Sequence, residues 1–229
     1  MSATRPWFLL GSGPGPADLN MALDEALMEA APRLGSPVLR FYAWTEPAAS
    51  FGYFQKYAGV ERATPLRPLV RRCTGGGIVP HDADWTYSIV FPADHEWYAL
   101  NACESYRRVH EWLVHAFARL DIMTELATAA RHAGAGQCFV GHEKFDVLRN
   151  GRKVAGAAQR RTRSGLLIQG SVQPPVSLGR KDWEAAVCET ASMEMDVCWR
   201  QMEADGILLQ RAAELCRLKY AQAAYNQRR

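Results

Sequence analysis

Between Phe145 and Gly156 the chain reads Phe145-Asp-Val-Leu-Arg, Asn150-Gly151, Arg152-Lys-Val-Ala-Gly. An Asn-Gly pair supplies the two positive φ angles of a tight type I′ turn, so this stretch is predicted to be an antiparallel hairpin. The remaining pattern mixes helices and strands without regular βαβ alternation. Together with the hairpin, that predicts an α+β domain rather than a doubly wound parallel sheet.

The other elements follow from periodicity. Leu19, Ala22, Leu23, Ala26, Leu27 and Ala30 recur at three-and-four spacing and predict a helix, capped by Asp18 or Asn20 and ended by Pro32. A second amphipathic helix is expected from Asn101 to Leu120, with Tyr106, Val109, Leu113, Ala116, Phe117 and Leu120 on one face. Strands are expected at Val38 to Ala43, at Trp85 to Phe91 (half-buried, by its alternation) and at Leu166 to Val172, which Pro174-Pro175 stops. Gly11 to Pro16 and Arg131 to Gly136 read as loops. From about Lys181 the pattern is helical, with Leu208, Ala212 and Leu215 on one face. With no repeat or low-complexity linker, residues 1–229 are expected to form a single domain with a helical C-terminal segment from about 181.

Hydrophobic residues make up 48% and charged residues 22% of the chain, values of an ordinary globular protein. A net charge of +3 does not point to nonspecific nucleic-acid binding. No apolar run approaches the roughly 18 residues of a membrane span, and Trp7-Phe8-Leu9-Leu10 is too short for a signal-peptide core, so a cytoplasmic location is expected. The six cysteines form no Cys-x-x-Cys pair and show no metal-like spacing with histidine. They are expected to be free thiols, most of them small buried residues, and no metal site is expected.

Three clusters can carry chemistry. In Arg71-Arg72-Cys73-Thr74-Gly75-Gly76-Gly77, followed by His81-Asp82, glycines let backbone amides approach a ligand and the arginines can pair with phosphate or carboxylate. The lysine and hydroxyl that would follow the glycines of a Walker loop are missing. Lys153 follows the hairpin turn and precedes Ala155, Gly156, Ala157 and Ala158, small residues that leave room for a groove. Its ammonium can hold a carbonyl or phosphoryl oxygen and stabilise developing negative charge. Cys138, before Phe139, can take up an acyl group as a thioester if a neighbour such as Lys153, Arg72 or His142 lowers its pKa.

Taken together these segments resemble the lipoate–protein ligase and octanoyltransferase family, whose fold is shared with biotin–protein ligases. The resemblance rests on Asn20-Met-Ala-Leu-Asp-Glu-Ala, on Arg71-Arg-Cys-Thr-Gly-Gly-Gly-Ile-Val-Pro-His-Asp, and on Gly151-Arg-Lys-Val-Ala-Gly-Ala-Ala-Gln followed by Leu167-Ile-Gln-Gly-Ser, in that order. It implies a mixed, largely antiparallel central sheet flanked by helices. It also implies that Lys153 contacts the acyl carbonyl or an acyl-adenylate phosphate. Arg71, Arg72, Gly75, Gly76, Gly77, His81, Gly156, Gln169, Gly170 and Ser171 are implied to line the substrate pocket. Many members carry histidine where this chain has Gln169. The Gly-Arg-Gly-Arg style of loop typical of biotin–protein ligases is absent from the sequence.

Within the family, Cys138-Phe139 matches the position of the nucleophile in cysteine-dependent transferases. That branch implies an acyl carrier protein or lipoyl protein as donor, Cys138 and Lys153 as catalytic residues, and the lysine of a lipoyl domain or glycine-cleavage H protein as acceptor, with no cofactor. The ligase branch implies ATP and magnesium, and often an accessory C-terminal domain. The roughly fifty-six residues after Gln173 leave a full domain of that kind unexpected. A non-catalytic binding relative is the third reading. A monomer is expected.

Overall fold

A computed structural model describes residues 6–131, 141–174 and 178–228. In chain order its elements are β1 (Trp7–Gly15), α1 (Ala17–Leu34), β2 (Val38–Trp44), β3 (Ala48–Phe51), α2 (Tyr57–Ala63), β4 (Leu69–Arg71), β5 (Ile78–His81), β6 (Trp85–Pro92), α3 (Glu96–Ala99) and α4 (Ala102–Ala118). There follow β7 (Glu125–Leu126), β8 (Val147–Arg149), β9 (Arg152–Thr162), β10 (Gly165–Val172), α5 (Arg180–Glu194), β11 (Trp199–Gln201), α6 (Gly206–Leu215), a π-helical turn at Cys216–Tyr220, and α7 (Ala223–Asn226).

Eight strands form one sheet in the order β11-β1-β2-β6-β10-β9-β8-β7. Its first two pairings are parallel and the rest, from β2–β6 to β7–β8, are antiparallel. The architecture is therefore α+β with a largely antiparallel sheet. A second, small sheet, β4-β3-β5, carries the glycine segment between β4 and β5. The hairpin forms as its turn chemistry dictates: Arg149 pairs with Arg152, and Asn150 and Gly151 take φ of 51° and 72°.

The period of two sorts the central strands between two cores. Leu39, Phe41, Ile89, Phe91, Leu166 and Ile168 face a core that includes Trp112 of α4 and Trp183 of α5. Val38, Tyr42, Val90 and Leu167 face the other, under α1 and α6. On that second face the alternation brings in polar residues, Arg40, Thr86, Ser88, Gln169 and Ser171, all buried. The site is built from them.

Several expectations change. Gly11 to Gly15 is the end of β1, paired with β2 through a bulge between Gly11 and Gly13. Proline is tolerated there because β11 pairs only Trp7 to Leu9 and leaves the strand's other side without a described partner. Neither Asp18 nor Asn20 caps α1, which begins after Pro16 and continues through Pro32 to a left-handed Gly35. Leu19 is 38% exposed and off the buried face. Strand β6 is buried on both faces, since β2 and β10 flank it and cores cover both sides. The C-terminal segment includes β11 as well as helices, and there Leu208, Ala212 and Leu215 are buried as their spacing predicts. Residues 132–140, and with them most of the predicted loop after Arg131, lie outside the described residues. None of the described helices is long and apolar enough to cross a membrane.

Candidate active site

A cavity opens where the glycine segment of the small sheet faces β9 and β10 of the large one. Counting its mouth and the solvent it opens to, it holds about 480 Å³ of atom-free space. Arg72, Gly76, His81, Lys153, Gly156, Gln169, Gly170 and Ser171 line it, so eight residues singled out from the sequence converge. Met21, Tyr42, Ser50 and Thr86 also line it, and sequence reasoning had missed them. Cys138 lies outside the described residues.

Gly75, Gly77 and Arg71 are not on the cavity wall. The Gly75 and Gly77 carbonyls accept hydrogen bonds from Arg72, which also donates to Ser50 Oγ at 3.2 Å. The Arg72 guanidinium thus braces the glycine segment. Arg71 points elsewhere and corrects the expectation of a pocket residue. It donates to the carbonyls of Tyr53, Gln55, Tyr225 and Asn226 and ties the C-terminal turn to β4.

The close approach of two loops holds the segment in place. A Cβ on Gly52 would lie 2.0 Å from the Gly76 carbonyl oxygen, a distance no real contact allows. We expect Gly52→Ala to displace the glycine segment, at a cost of about 1–3 kcal/mol, with a larger loss of acyl-substrate affinity. Urea unfolding and substrate titration check this, and an unchanged affinity would mean that the segment does not shape the pocket.

Lys153 and Arg72 are both cations on the cavity wall. The Lys153 Nζ lies 2.8 Å from Asp146 Oδ2, with side-chain exposures of 8% and 0%. Asp146 also accepts from the Tyr106 hydroxyl and from the Glu143 amide. Gly156 makes room for the lysine: a Cβ there would sit 2.5 Å from Lys153 Cε and 2.9 Å from Asp146 Oδ1. The small residues after Lys153 therefore let it cross over β9.

Behind this pair, His110 packs edge-on against Tyr106 at 4.2 Å. Burial pulls its pKa down from 6.5 to about 4; nearby Asp146 opposes the shift and Lys153 adds to it. The unfolded chain therefore binds a proton at His110 that the folded protein refuses. This costs stability progressively as pH falls from about 6.5 to 4 and adds nothing further below 4, roughly 3 kcal/mol in all. We expect His110→Leu to lessen the drop in urea stability between pH 7 and pH 4. The same pH dependence in both proteins would contradict the assignment.

Gln169 uses both ends of its amide. Its Oε1 accepts from Thr74 Oγ1 at 2.8 Å, and its Nε2 donates to Asp24 Oδ2 at 2.7 Å and to Met21 Sδ at 3.5 Å. It joins the glycine segment to α1. Asp24 in turn accepts from Arg40, Tyr42 and Ser88. Ser171 donates to Asp84 Oδ2, which also accepts from Thr86 Oγ1 and lies 2.9 Å from His81 Nδ1.

Of the described cysteines only Cys73 is fully buried, so the expectation that most are is corrected; Cys103 and Cys198 are exposed because their positions turn outward. Burial pushes the Cys73 and Cys188 thiols up to about 12 and Cys216 to about 11, which leaves all three protonated at neutral pH. Among the described residues no group of histidine, cysteine and carboxylate side chains could hold a metal ion.

The octanoyltransferase LipM of Oceanobacillus iheyensis is 37% identical over 179 residues, covering 75% of this chain and 64% of that protein. The LipM of Kyrpidia tusciae is 40% identical over 184 residues, covering 73% and 66%. The chain thus spans just under two thirds of the length of these relatives. In fold it matches the bi-partite lipoate protein ligase of Thermoplasma acidophilum, solved in a study of that ligase and its E2 lipoyl domain. The TM-score is 0.70 at 21% identity, over 97% of this chain and 95% of that one. Residues 16–187 match the model of the lipoyl protein ligase A/B catalytic domain, and the chain belongs to that family.

Proposed function

We propose that this protein is an octanoyl- or lipoyltransferase that moves a medium-chain acyl group from a thioester donor to the lysine of a lipoyl acceptor domain. The observation that carries the reading is the identity of 37% and 40% to two proteins named octanoyltransferase. The site supports it, since a buried lysine lines a narrow cavity whose other walls are mostly small or apolar.

The acyl donor is the thioester of an acyl carrier protein or of a lipoyl protein. Cys138 attacks its carbonyl and expels the donor thiol, leaving the acyl group on sulfur. The acceptor amine, from a lipoyl domain or a glycine-cleavage H protein, then displaces Cys138 and forms the amide. Lys153 donates to the carbonyl oxygen as negative charge develops on it in both steps. Gly76, Gly156 and Gly170 line the acyl channel, with His81, Gln169 and Ser171 as its polar groups. A thioester is already activated, so ATP and magnesium are not needed. Residues 1–229 act as one catalytic domain.

The test is intact-protein mass after mixing with octanoyl-acyl carrier protein, without ATP or acceptor. We expect an octanoyl adduct that neutral hydroxylamine removes and that Cys138→Ala prevents. Activity that appears only with ATP, magnesium and free lipoate would instead place the protein with the ligases. Binding without adduct or turnover under either condition would mark a non-catalytic relative.

A further inference from the structure

Ser50, His81 and Asp84 stand in a hydrogen-bonded row to which the transfer steps assign no bond-making and no proton transfer. Ser50 Oγ lies 2.8 Å from His81 Nε2, and His81 Nδ1 lies 2.9 Å from Asp84 Oδ2. All three side chains are buried, and Ser50 and His81 line the same cavity as Lys153. They come from β3, from β5 and from the turn into β6, so only the tertiary structure brings them together.

A carboxylate only accepts, so His81 Nδ1 carries the hydrogen it gives to Asp84; in the neutral imidazole Nε2 then turns its lone pair toward Ser50. The serine hydroxyl therefore donates to the imidazole, and its oxygen accepts from Arg72 Nη1 at 3.2 Å. A cation beside that oxygen favours the alkoxide. The imidazole is also fixed in place: Trp44 stacks on it at 3.8 Å and 17°, and Trp44 Nε1 is anchored on Thr86 Oγ1 at 2.8 Å. A nucleophile hydrogen-bonded to a base, the base oriented by a carboxylate, is the arrangement that activates serine in acyl transfer on unrelated folds.

We propose that Ser50 is a second acyl acceptor in this cavity, with His81 as its base and Asp84 orienting that base, and that the protein hydrolyses medium-chain acyl thioesters through a Ser50 ester. The choice of acyl thioester as substrate rests on the function proposed above. As Ser50 Oγ bonds to the acyl carbon, its proton passes to His81 Nε2. The carbon–sulfur bond breaks, and the thiol leaves with that proton. Water then attacks the ester and gives a proton to His81; the carbon–Oγ bond breaks and Ser50 is reprotonated. The sum is thioester plus water giving carboxylic acid plus thiol. Arg72, beside Ser50, is placed to offset the negative charge of the addition intermediate.

The experiment uses Cys138→Ala protein with the octanoyl thioester of N-acetylcysteamine and no acceptor, following thiol release and intact mass. We expect release above the buffer rate and an octanoyl adduct that resists neutral hydroxylamine, as an oxygen ester does. Adding Ser50→Ala should abolish the adduct and lower release by about a hundredfold or more. Adding Ser50→Cys instead should restore an adduct, now hydroxylamine-sensitive, which a misfolded variant could not do. Release no faster than in buffer, or release that survives Ser50→Ala with an unchanged melting temperature, would overturn the proposal. Transfer from acyl carrier protein to acceptor lysine by the unsubstituted protein is measured alongside. Its failure would count against the transferase reading and not against Ser50.

Discussion

Replacing Lys153 with alanine is expected to reduce acyl transfer by about 10²–10³-fold or more, the usual effect of losing one donor to a developing oxyanion. The hairpin by itself suggests that this substitution is harmless to the fold, because a lysine beside an exposed turn is ordinarily solvated. The structure predicts otherwise. Lys153 is paired with a carboxylate that is 0% exposed, and breaking a buried pair costs about 3 kcal/mol or more. Asp146 keeps the Tyr106 hydroxyl and the Glu143 amide as donors, which holds the loss to the lower end. Asp146→Asn separates the two effects: it weakens the pair but keeps the ammonium, and should spare more of the transfer. Octanoylation of an acceptor domain, followed by mass, together with the melting temperature checks this. Near-normal transfer by a folded Lys153→Ala protein would remove the lysine from the mechanism.

Asp24→Ala should give the largest loss of stability from a single side chain. Asp24 is fully buried and accepts from Arg40, Tyr42, Ser88 and Gln169 at 2.6 to 2.9 Å. Without it Arg40, itself 2% exposed, loses its carboxylate and keeps hydrogen bonds to Ser12 and Asn20 and the face of the Tyr42 ring at 3.9 Å. An uncompensated buried guanidinium costs about 3–5 kcal/mol, which for a chain of this size lowers the melting temperature by roughly 10 °C. Gln169 would lose its carboxylate partner on α1, keeping the contact to Met21 Sδ at 3.5 Å, and would loosen the glycine segment through Thr74, so affinity for the acyl substrate should fall as well. A change of less than about 1 kcal/mol in urea unfolding would mean that the network is not what joins α1 to the sheet.

The sequence by itself determined the features that depend on near neighbours. The Asn150-Gly151 turn, the α4 face and the α+β character follow from local φ preferences and periodicity, which a chain carries wherever it is placed. The signature segments also identified eight residues that line one cavity. Where the sequence misled, distant partners decided. Gly11 to Gly15 became strand because β2 was there to pair with it, and α1 ran through Pro32 because its packing outweighed the break. Arg71 and Arg72 look alike on paper, yet one holds the C-terminal turn and the other braces the glycine segment, since adjacent residues at a strand end point to opposite sides. Asp24 lies amid the apolar residues of α1 and Asp146 within the hairpin segment, and the sequence singles out neither as a site residue. Their partners Arg40, Gln169 and Lys153 could not be assigned from the sequence. His81 was singled out by its signature segment but Ser50 and Asp84 were not, because 31 residues separate the serine from the histidine and a hydrogen bond between them exists only once β3 and β5 have paired.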